Sequence, residues 1–417
     1  MMRYNPFQPN RIVNPGMFVG RYEEMAKIDQ YLFQTKLGNP QHFLIEGERG
    51  IGKSSLMFVV SNVARGKLAT LKDDHKFNFL TVAVDMAGVA TQVDIVRAIA
   101  RELKAEIAAS APLKENAGKV WDFLSKWEIL GVRYHRDQAP DADDAREDLV
   151  RVVSEVSKAS SAIDGVVILI DESDAPPVEA GFGEFLKSFT ERLSKKDCNN
   201  VLICLAGLPT TIPKMRSSHE SSPRILSVLN LKPLEPSERK SAINRGLNSA
   251  SEKNIKPVLI DSDALDFLSE MSEGYPHFVQ QFAYCAFDAD DDDRITVEDV
   301  LKGAYEENGA IDQLGSKYFN EVYYSKIGSD EYRKVLNAMA DHSDGWVTRR
   351  ELIKESGVKE STLNNAITAL KARNIISVDE GRQGYYRLPT KSFAAWINAV
   401  NSIEEKRGGS PVTITDS

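Results

Sequence analysis

The chain has 417 residues, 42% hydrophobic and 27% charged, with 26 Gly, 17 Pro, 3 Cys and a formal net charge of −9. That composition supplies enough apolar surface for two or three packed domains and excludes a disordered, collagen-like or coiled-coil main state. The charge argues against a protein coated all over in nucleic acid, although it leaves room for one basic module on an acidic body.

Cys198, Cys204 and Cys285 stand apart with no CxxC pair, so neither a disulfide scaffold nor a cysteine zinc site is expected, and a reducing cytoplasm fits. No apolar run is long enough to span a membrane, and the first residues lack a signal-peptide core, so no membrane partner is expected. In chain order, the stretch from Asn5-Pro6 to Gly20-Arg21 is rich in Pro, Gly and Asn and reads as an extended arm. Met25, Ile28 and Leu32 recur at helical spacing within 22–34, and a short apolar strand at 42–46 runs into glycines. Further strands are predicted at 79–85, 166–170 and 201–206, with helical patterns at 93–108 and 146–159 between them. The run Val166-Val167-Ile168-Leu169-Ile170 is apolar throughout, as in a parallel strand covered on both faces. Alternating strands and helices predict an α/β architecture with crossover connections.

Near Leu231-Lys232-Pro233-Leu234 the texture becomes helical and stays so to Ala304, with breaks at Lys256-Pro257, Gly274-Tyr275-Pro276 and the acidic run 288–293. A third pattern starts near Tyr332: helices at 332–340, 349–355 and 361–373, a turn at Gly357-Val358, and strands at 376–379 and 385–388. The expected division is an α/β core over 1–233, a helical domain over 234–310, a linker over 311–330, a small helix-and-hairpin domain over 331–398 and a flexible tail over 399–417.

Gly47-Glu48-Arg49-Gly50-Ile51-Gly52-Lys53-Ser54 matches G-x4-G-K-[ST], directly after a strand and before a helix beginning near Ser55. Glycines let successive N–H groups wrap phosphate oxygens, and the helix N-terminus adds a favourable dipole. Lys53 should reach the outer phosphates of ATP, and Ser54 should hold Mg²⁺. The buried strand ending in Asp171-Glu172 supplies the second half of the site. Asp171 can hold the Mg²⁺ through water, and Glu172 is placed to orient and deprotonate an attacking water. The strand at 79–85, lying between the two motifs in sequence, suggests an extra strand between them in the sheet, an arrangement that suits hydrolases.

Phe18-Val19-Gly20-Arg21-Tyr22-Glu23-Glu24, the phosphate loop, Leu169-Ile170-Asp171-Glu172 and Gly274-Tyr275-Pro276-His277-Phe278 together resemble the AAA+ ATPases of the origin-recognition (initiator) clade. They also resemble its relatives, the STAND-type signalling ATPases and archaeal-type ATPases. The likeness runs in order from about Asn5 to Ala304, and a winged-helix-like tail extends it to about Ile397. It implies a P-loop NTPase parallel sheet, a helical lid over 234–310 and a C-terminal winged helix-turn-helix domain. It further implies that Ile12, Val13, Phe18 and Val19 line the adenine pocket and that Tyr275, Pro276 and His277 approach the nucleotide from the lid. Arg224 is the candidate arginine finger, with Arg216 a rival. Two positions depart from the family pattern. The strand at 201–206 ends in Gly207-Leu208-Pro209-Thr210-Thr211, where only Thr210 or Thr211 could act as a polar sensor. His277 stands where initiators often carry an arginine, which weakens any charge clamp and makes slow turnover as compatible as fast.

In the C-terminal module Leu363, Ala366, Ile367 and Leu370 should pack inward, leaving Thr362, Asn364, Asn365, Thr368, Lys371 and Arg373 outside. Such a face can read base edges, and Arg382 would sit at the wing tip. Residues 344–397 hold nine Lys and Arg against six Asp and Glu, a net +3, which leaves −12 for the rest of the chain. Two readings stay open. One is an ATP-hydrolysing AAA+ switch that self-assembles with ATP and acts on duplex DNA. The other is a signalling or adaptor ATPase that uses the winged helix for a protein effector with little turnover. The acidic run 288–293 reads as a solvated loop, because Asp293 stands where a calcium loop needs glycine. His75, His135, His219 and His342 read as surface residues, and the four tryptophans as core or interface anchors.

Overall fold

The computed structural model describes residues 3–12, 15–70, 76–110, 142–159, 163–327, 329–342, 345–373, 375–379 and 381–406. The chain divides into two compact units, Ile12–Lys232 and Met1–Arg11 with Pro233–Ser417. Val13, His75, His135, Trp121 and Trp127 lie outside the described residues.

The unit Ile12–Lys232 opens with a 3-10 turn at Pro15–Met17 and contains α1 (Tyr22–Lys36), β1 (Phe43–Glu46), α2 (Lys53–Ala64), β2 (Phe79–Asp85), α3 (Gln92–Ala109), α4 (Ala142–Ala159), β3 (Gly165–Asp171), α5 (Phe182–Lys195), β4 (Val201–Gly207), α6 (Thr211–Ser218) and β5 (Ser227–Asn230). The five strands form one parallel sheet in the order β2-β3-β4-β1-β5. Leu80, Val82, Val166, Ile168, Val201 and Ile203 pack on one side with α3, α4 and α5. Helices α1 and α2 cover the other side, so the strands are apolar on both faces, as their sequence requires. An extra strand does separate the two motif-bearing strands, but it is β4, whereas β2 lies at the sheet edge. A parallel neighbour needs a crossover, so order along the chain and order in the sheet need not agree.

The other unit contains α7 (Pro236–Ser251), β6 (Leu259–Ile260), α8 (Ser262–Met271), α9 (Pro276–Ala289), β7 (Arg294–Ile295) and α10 (Val297–Tyr305). It continues with α11 (Ala310–Leu314), two π-helical turns at Gly315–Phe319 and Glu321–Lys326, α12 (Asp330–Ala340), β8 (Val347–Thr348), α13 (Arg349–Ser356), α14 (Glu360–Ala372), β9 (Ser377–Val378), β10 (Tyr385–Arg387) and α15 (Lys391–Lys406). Strands β8, β10 and β9 form an antiparallel sheet beside a core that includes Leu336, Leu352, Leu363, Leu370 and Trp396.

Four expectations change. Residues 3–11 belong with this second unit and not with the α/β core, because Phe7 is buried against Gly246, where an added Cβ would lie 2.3 Å from its ring. The segment 311–330 is no loose linker: Leu314, Phe319, Tyr323 and Ile327 are buried along it. The tail expected from residue 399 is helical as far as Lys406. Within the acidic run, the Asp290 carboxylate is fully buried and paired with Arg3, 2.6 Å away, so that run is not simply solvated. Among the described residues no helix is long and apolar enough to cross a membrane.

One group in the α/β unit ties stability to pH. His42, at the start of β1, accepts a hydrogen bond at Nδ1 from the Ile203 backbone N–H, 3.1 Å away. Loss of water around the ring lowers its pKa from 6.5 to about 4. The folded state therefore holds the neutral ring while the unfolded chain takes up a proton below pH 6.5. Stability is whole above that pH and falls as pH drops towards 4, by up to about 3 kcal/mol. His42→Asn keeps an acceptor for Ile203 and is expected to flatten the fall in melting temperature between pH 6.5 and 4, as read by scanning calorimetry.

Candidate functional site

The site grows from the end of β1. Leu44 and Ile45 are buried, and the chain then turns through a loop in which Gly50 (φ 78°) and Gly52 (φ 98°) adopt left-handed conformations. At Gly47 the constraint is space, since an added Cβ would lie 2.8 Å from Ile51 Cγ2. Ile51 is buried and anchors the loop, and Arg21 Nη2 donates to its carbonyl at 3.1 Å. Arg21 (φ 62°) follows Gly20 (φ 72°), so two left-handed residues turn the arm into α1 beside the loop. Gly52 offers α2 no side-chain cap, which leaves the first N–H groups of that helix for an anion.

Lys53 Nζ donates to the carbonyls of Gly47 (2.9 Å) and Glu48 (3.0 Å), which folds the side chain back over the loop. Burial lowers its pKa, and the charges of Asp171 and Asp174 act against that shift. Ser54 and Ser55 are half-buried in the first turn of α2, while Glu48 and Arg49 are exposed.

Asp171 closes β3 and pairs in register with Asp85 at the end of β2. Glu172 follows in a left-handed conformation (φ 50°), its N–H donating to Asp171 Oδ1 at 2.9 Å. A left-handed non-glycine residue at the end of an interior strand is a mark of sites where position matters. Partial burial raises the Glu172 pKa, helped by the negative charges of Asp85, Asp171 and Asp174. Asp174 Oδ1 accepts from the Leu208 N–H at 2.9 Å, and its carbonyl accepts from Lys214 Nζ at 2.5 Å. Asp85 and Asp174 were missed in the sequence, although each is an acid at or just past the end of an apolar strand.

The polar sensor position is occupied in a particular way. Thr211 is fully buried and donates to the Leu208 carbonyl at 2.7 Å, so its hydroxyl holds the turn; Thr210 is exposed. Arg224, in the 3-10 turn Ser222–Ile225, and Arg216, in the last turn of α6, are both exposed and form no ion pair among the described residues. Ile12 is exposed, while Phe18 and Val19 are half-buried just before Gly20. Ser54 and Asp171 offer the hard oxygens that Mg²⁺ takes when it is shared with a nucleotide's phosphates. Among the described residues no cluster of three or more His, Cys, Asp and Glu could hold a metal alone.

In the other unit Tyr275 precedes α9, and Pro276 and His277 begin it. The His277 ring meets Tyr318 edge-on at 5.2 Å, and burial, with Lys317 nearby, lowers its pKa to about 4. It is neutral at pH 7 and supplies no charge clamp. On α14, Asn364 and Asn365 are exposed and Thr362 is half-buried. Arg382, exposed in the β9–β10 hairpin, is not free: its guanidinium pairs with Asp379 at 2.7 Å and lies over the Tyr385 ring at 4.5 Å.

A glycine-turned loop between a buried strand and a helix, facing carboxylates on a non-adjacent parallel strand, defines a P-loop nucleotide-binding domain with the AAA+ fold. Residues 17–201 match the AAA ATPase domain family. An uncharacterized HTH-type transcriptional regulator of Methanocaldococcus jannaschii is 26% identical over 262 residues, which cover 60% of this chain and 58% of that protein's length. The ORC2 protein of Aeropyrum pernix, in its ADPNP–ADP complexes, shares the fold with a TM-score of 0.59, 15% identity and coverage of 98% and 99% of the two chains. The ORC1 protein of the same organism, in complex with DNA, matches at a TM-score of 0.47 and 16% identity over 94% of each chain. Because Arg21 holds the Ile51 carbonyl, Arg21→Ala is expected to loosen the loop and weaken binding of a fluorescent ATP analogue about tenfold, or about 1.4 kcal/mol, in a direct titration.

Proposed function

We propose that this chain binds and hydrolyses ATP with Mg²⁺ as a nucleotide-dependent assembly switch, and that it associates with duplex DNA through a C-terminal winged helix. The observation that carries the reading is the single sheet edge on which the open loop at Gly47–Ser54 and the Asp171–Glu172 pair both end. In this reading the loop N–H groups and Lys53 hold the phosphates, Ser54 and Asp171 hold the metal, and Glu172 takes the proton of the attacking water. Magnesium bound there would draw charge from the transferred phosphoryl group. Ile12, Val13, Phe18 and Val19 are assigned to the adenine, Tyr275, Pro276 and His277 to the lid's share of nucleotide recognition, and Arg224 to a neighbouring subunit's nucleotide. Nucleotide binding then orders the contact between copies, and hydrolysis loosens it.

The order helix, strand, two helices and hairpin over α12 to β10 supports the winged-helix reading, and α14 is its recognition helix. Thr362, Asn364 and Asn365 are the proposed base-reading residues, with Arg382 on the backbone. Two observations favour the second reading, a signalling or adaptor ATPase with a protein effector and slow turnover. His277 is neutral, and Arg382 is already engaged by a carboxylate.

Hydrolysis rate and solution mass, measured with and without duplex DNA, separate the two. Glu172→Gln is expected to bind ATP, lower turnover by about a hundredfold or more and favour the larger assembly. Lys53→Ala is expected to lose nucleotide binding; a Glu172→Gln protein that hydrolyses at the parent rate overturns the assignment of the base. In a gel-shift titration, Asp379→Asn keeps the turn's acceptor and frees the Arg382 charge. It is expected to tighten DNA binding and steepen its salt dependence by about one phosphate contact.

A further inference from the structure

The turn Glu273–Phe278 is joined to more of its unit than a lid motif needs. Its glycine is sterically required: Gly274 has φ 81°, and a Cβ there would lie 2.6 Å from the Leu234 carbonyl oxygen. The Gly274 carbonyl accepts from the Leu234 N–H at 2.7 Å, so the first residues after the α/β unit are fastened to this turn. The His277 ring is hydrogen-bonded to the Pro9 backbone, and Gln280 accepts from the Gln8 N–H at 2.9 Å. The last residues before the α/β unit are thus fastened to the same place. Both segments of this unit that lead into the α/β unit are held at the stretch Gly274–Gln280.

The same turn holds the C-terminal helix directly at one point and reaches it again through a chain of rings. Glu273, itself left-handed (φ 51°), accepts from the Lys391 N–H at 2.7 Å, the Ser392 N–H at 2.7 Å and the Ser392 hydroxyl at 2.8 Å. Its carboxylate therefore caps the N-terminus of α15, where negative charge is favoured. One turn further on, His277 and Phe278 meet Tyr318, with ring centroids at 5.2 and 5.8 Å. Ring contacts then continue without a gap: Tyr318 to Phe319 at 6.3 Å, Phe319 to Phe393 at 4.9 Å and to Trp396 at 5.9 Å, and Trp396 to Tyr323 at 5.4 Å. Tyr323 donates to Asn337 Oδ1 of α12 at 2.7 Å, which brings the chain of contacts into the C-terminal module.

The middle of this route is built of π-helical turns, and within it the Asn320 Oδ1 is buried with no hydrogen-bond partner. π-Turns are rare and collect at functional positions, and a buried polar atom without a partner marks a segment below its best hydrogen bonding.

We propose that Glu273 and Tyr318 are positioning residues of a clamp by which the turn Glu273–Phe278 and the C-terminal helix α15 change state together, so that the nucleotide bound by the α/β unit is read out at Trp396. The proposal rests on the nucleotide-switch reading above, and the test separates the two. A parent protein with Trp121→Phe, Trp127→Phe and Trp346→Phe keeps Trp396 as its one tryptophan. A fluorescent ATP analogue, followed by anisotropy, establishes saturation, and Trp396 emission is compared without nucleotide and with saturating unlabelled ATP. The parent is expected to change its emission on saturation. Tyr318→Ala and Glu273→Ala lose that change while nucleotide is bound, and Tyr318→Phe, which keeps the ring, retains it. Where duplex DNA binds, the parent's nucleotide and DNA affinities alter each other by the same factor, about fivefold, and the two alanine variants bring that factor to one.

An emission that ignores bound ATP, or that responds equally in Tyr318→Ala and Glu273→Ala, overturns the clamp and leaves the nucleotide reading intact. A parent that binds no ATP analogue overturns both. Should an alanine variant fail to fold, Tyr318→Leu, which keeps apolar bulk without the ring, takes its place. Loss of the Trp396 response in Tyr318→Leu with bound nucleotide supports the clamp, and an unaltered response overturns it.

Discussion

Between the end of a buried strand at Glu46 and the start of a helix at Lys53, the chain must stop spending its N–H groups on neighbouring strands and leave several of them open. Left-handed backbone at Gly50 and Gly52 makes that reversal feasible, and Arg21 steadies it from outside by holding the Ile51 carbonyl. The rest of the α/β unit follows from this loop. Strand β1 is buried on both faces and lies inside the sheet between β4 and β5. Because β4 intervenes, the loop and Asp171 end two strand spacings apart, about 9.5 Å. That gap is wide enough for a phosphoryl group, and partial burial, helped by the carboxylates gathered there, raises the Glu172 pKa.

The second unit is organised by different forces. Its arm, helical bundle and C-terminal module meet at polar points that include Arg3 with Asp290 and Asp293, Glu273 with the start of α15, and Tyr323 with Asn337. Arg3 also lies over the Phe287 ring at 5.0 Å and donates to the Phe287 carbonyl, so its removal would leave the buried Asp290 carboxylate without its charge partner. Around these points the contacts are aromatic, which gives large buried area with little rotamer entropy to lose.

What the sequence made legible was local. The strand at 79–85 and the end of β3 at Asp171 could be read because apolar runs and a terminal acid are signals within a few residues. The phosphate loop could be read because its glycines are demanded by backbone geometry alone. The order of strands could not, since β2 and β4 carry the same apolar pattern and only the crossover lengths and packing assign them to edge and interior. In residues 311–330, read as a linker, Gly315, Ser316 and Lys317 interrupt the apolar pattern. The glycine is there to let an indole close, and a π-turn shifts the helical period on which the reading depends. Arg382 read as an open wing-tip charge because Asp379, three residues earlier, becomes its partner only once the hairpin closes.

Gly315 and Trp396 also constrain how this chain can change over time. With the indole in place, position 315 accepts nothing larger than hydrogen; with any side chain at 315, the indole loses its seat. The dependence runs one way: Trp396 can be exchanged while Gly315 stays, but a side chain at 315 must wait until the indole has gone. Among descendants of this sequence, a lineage that keeps Trp396 should therefore keep Gly315.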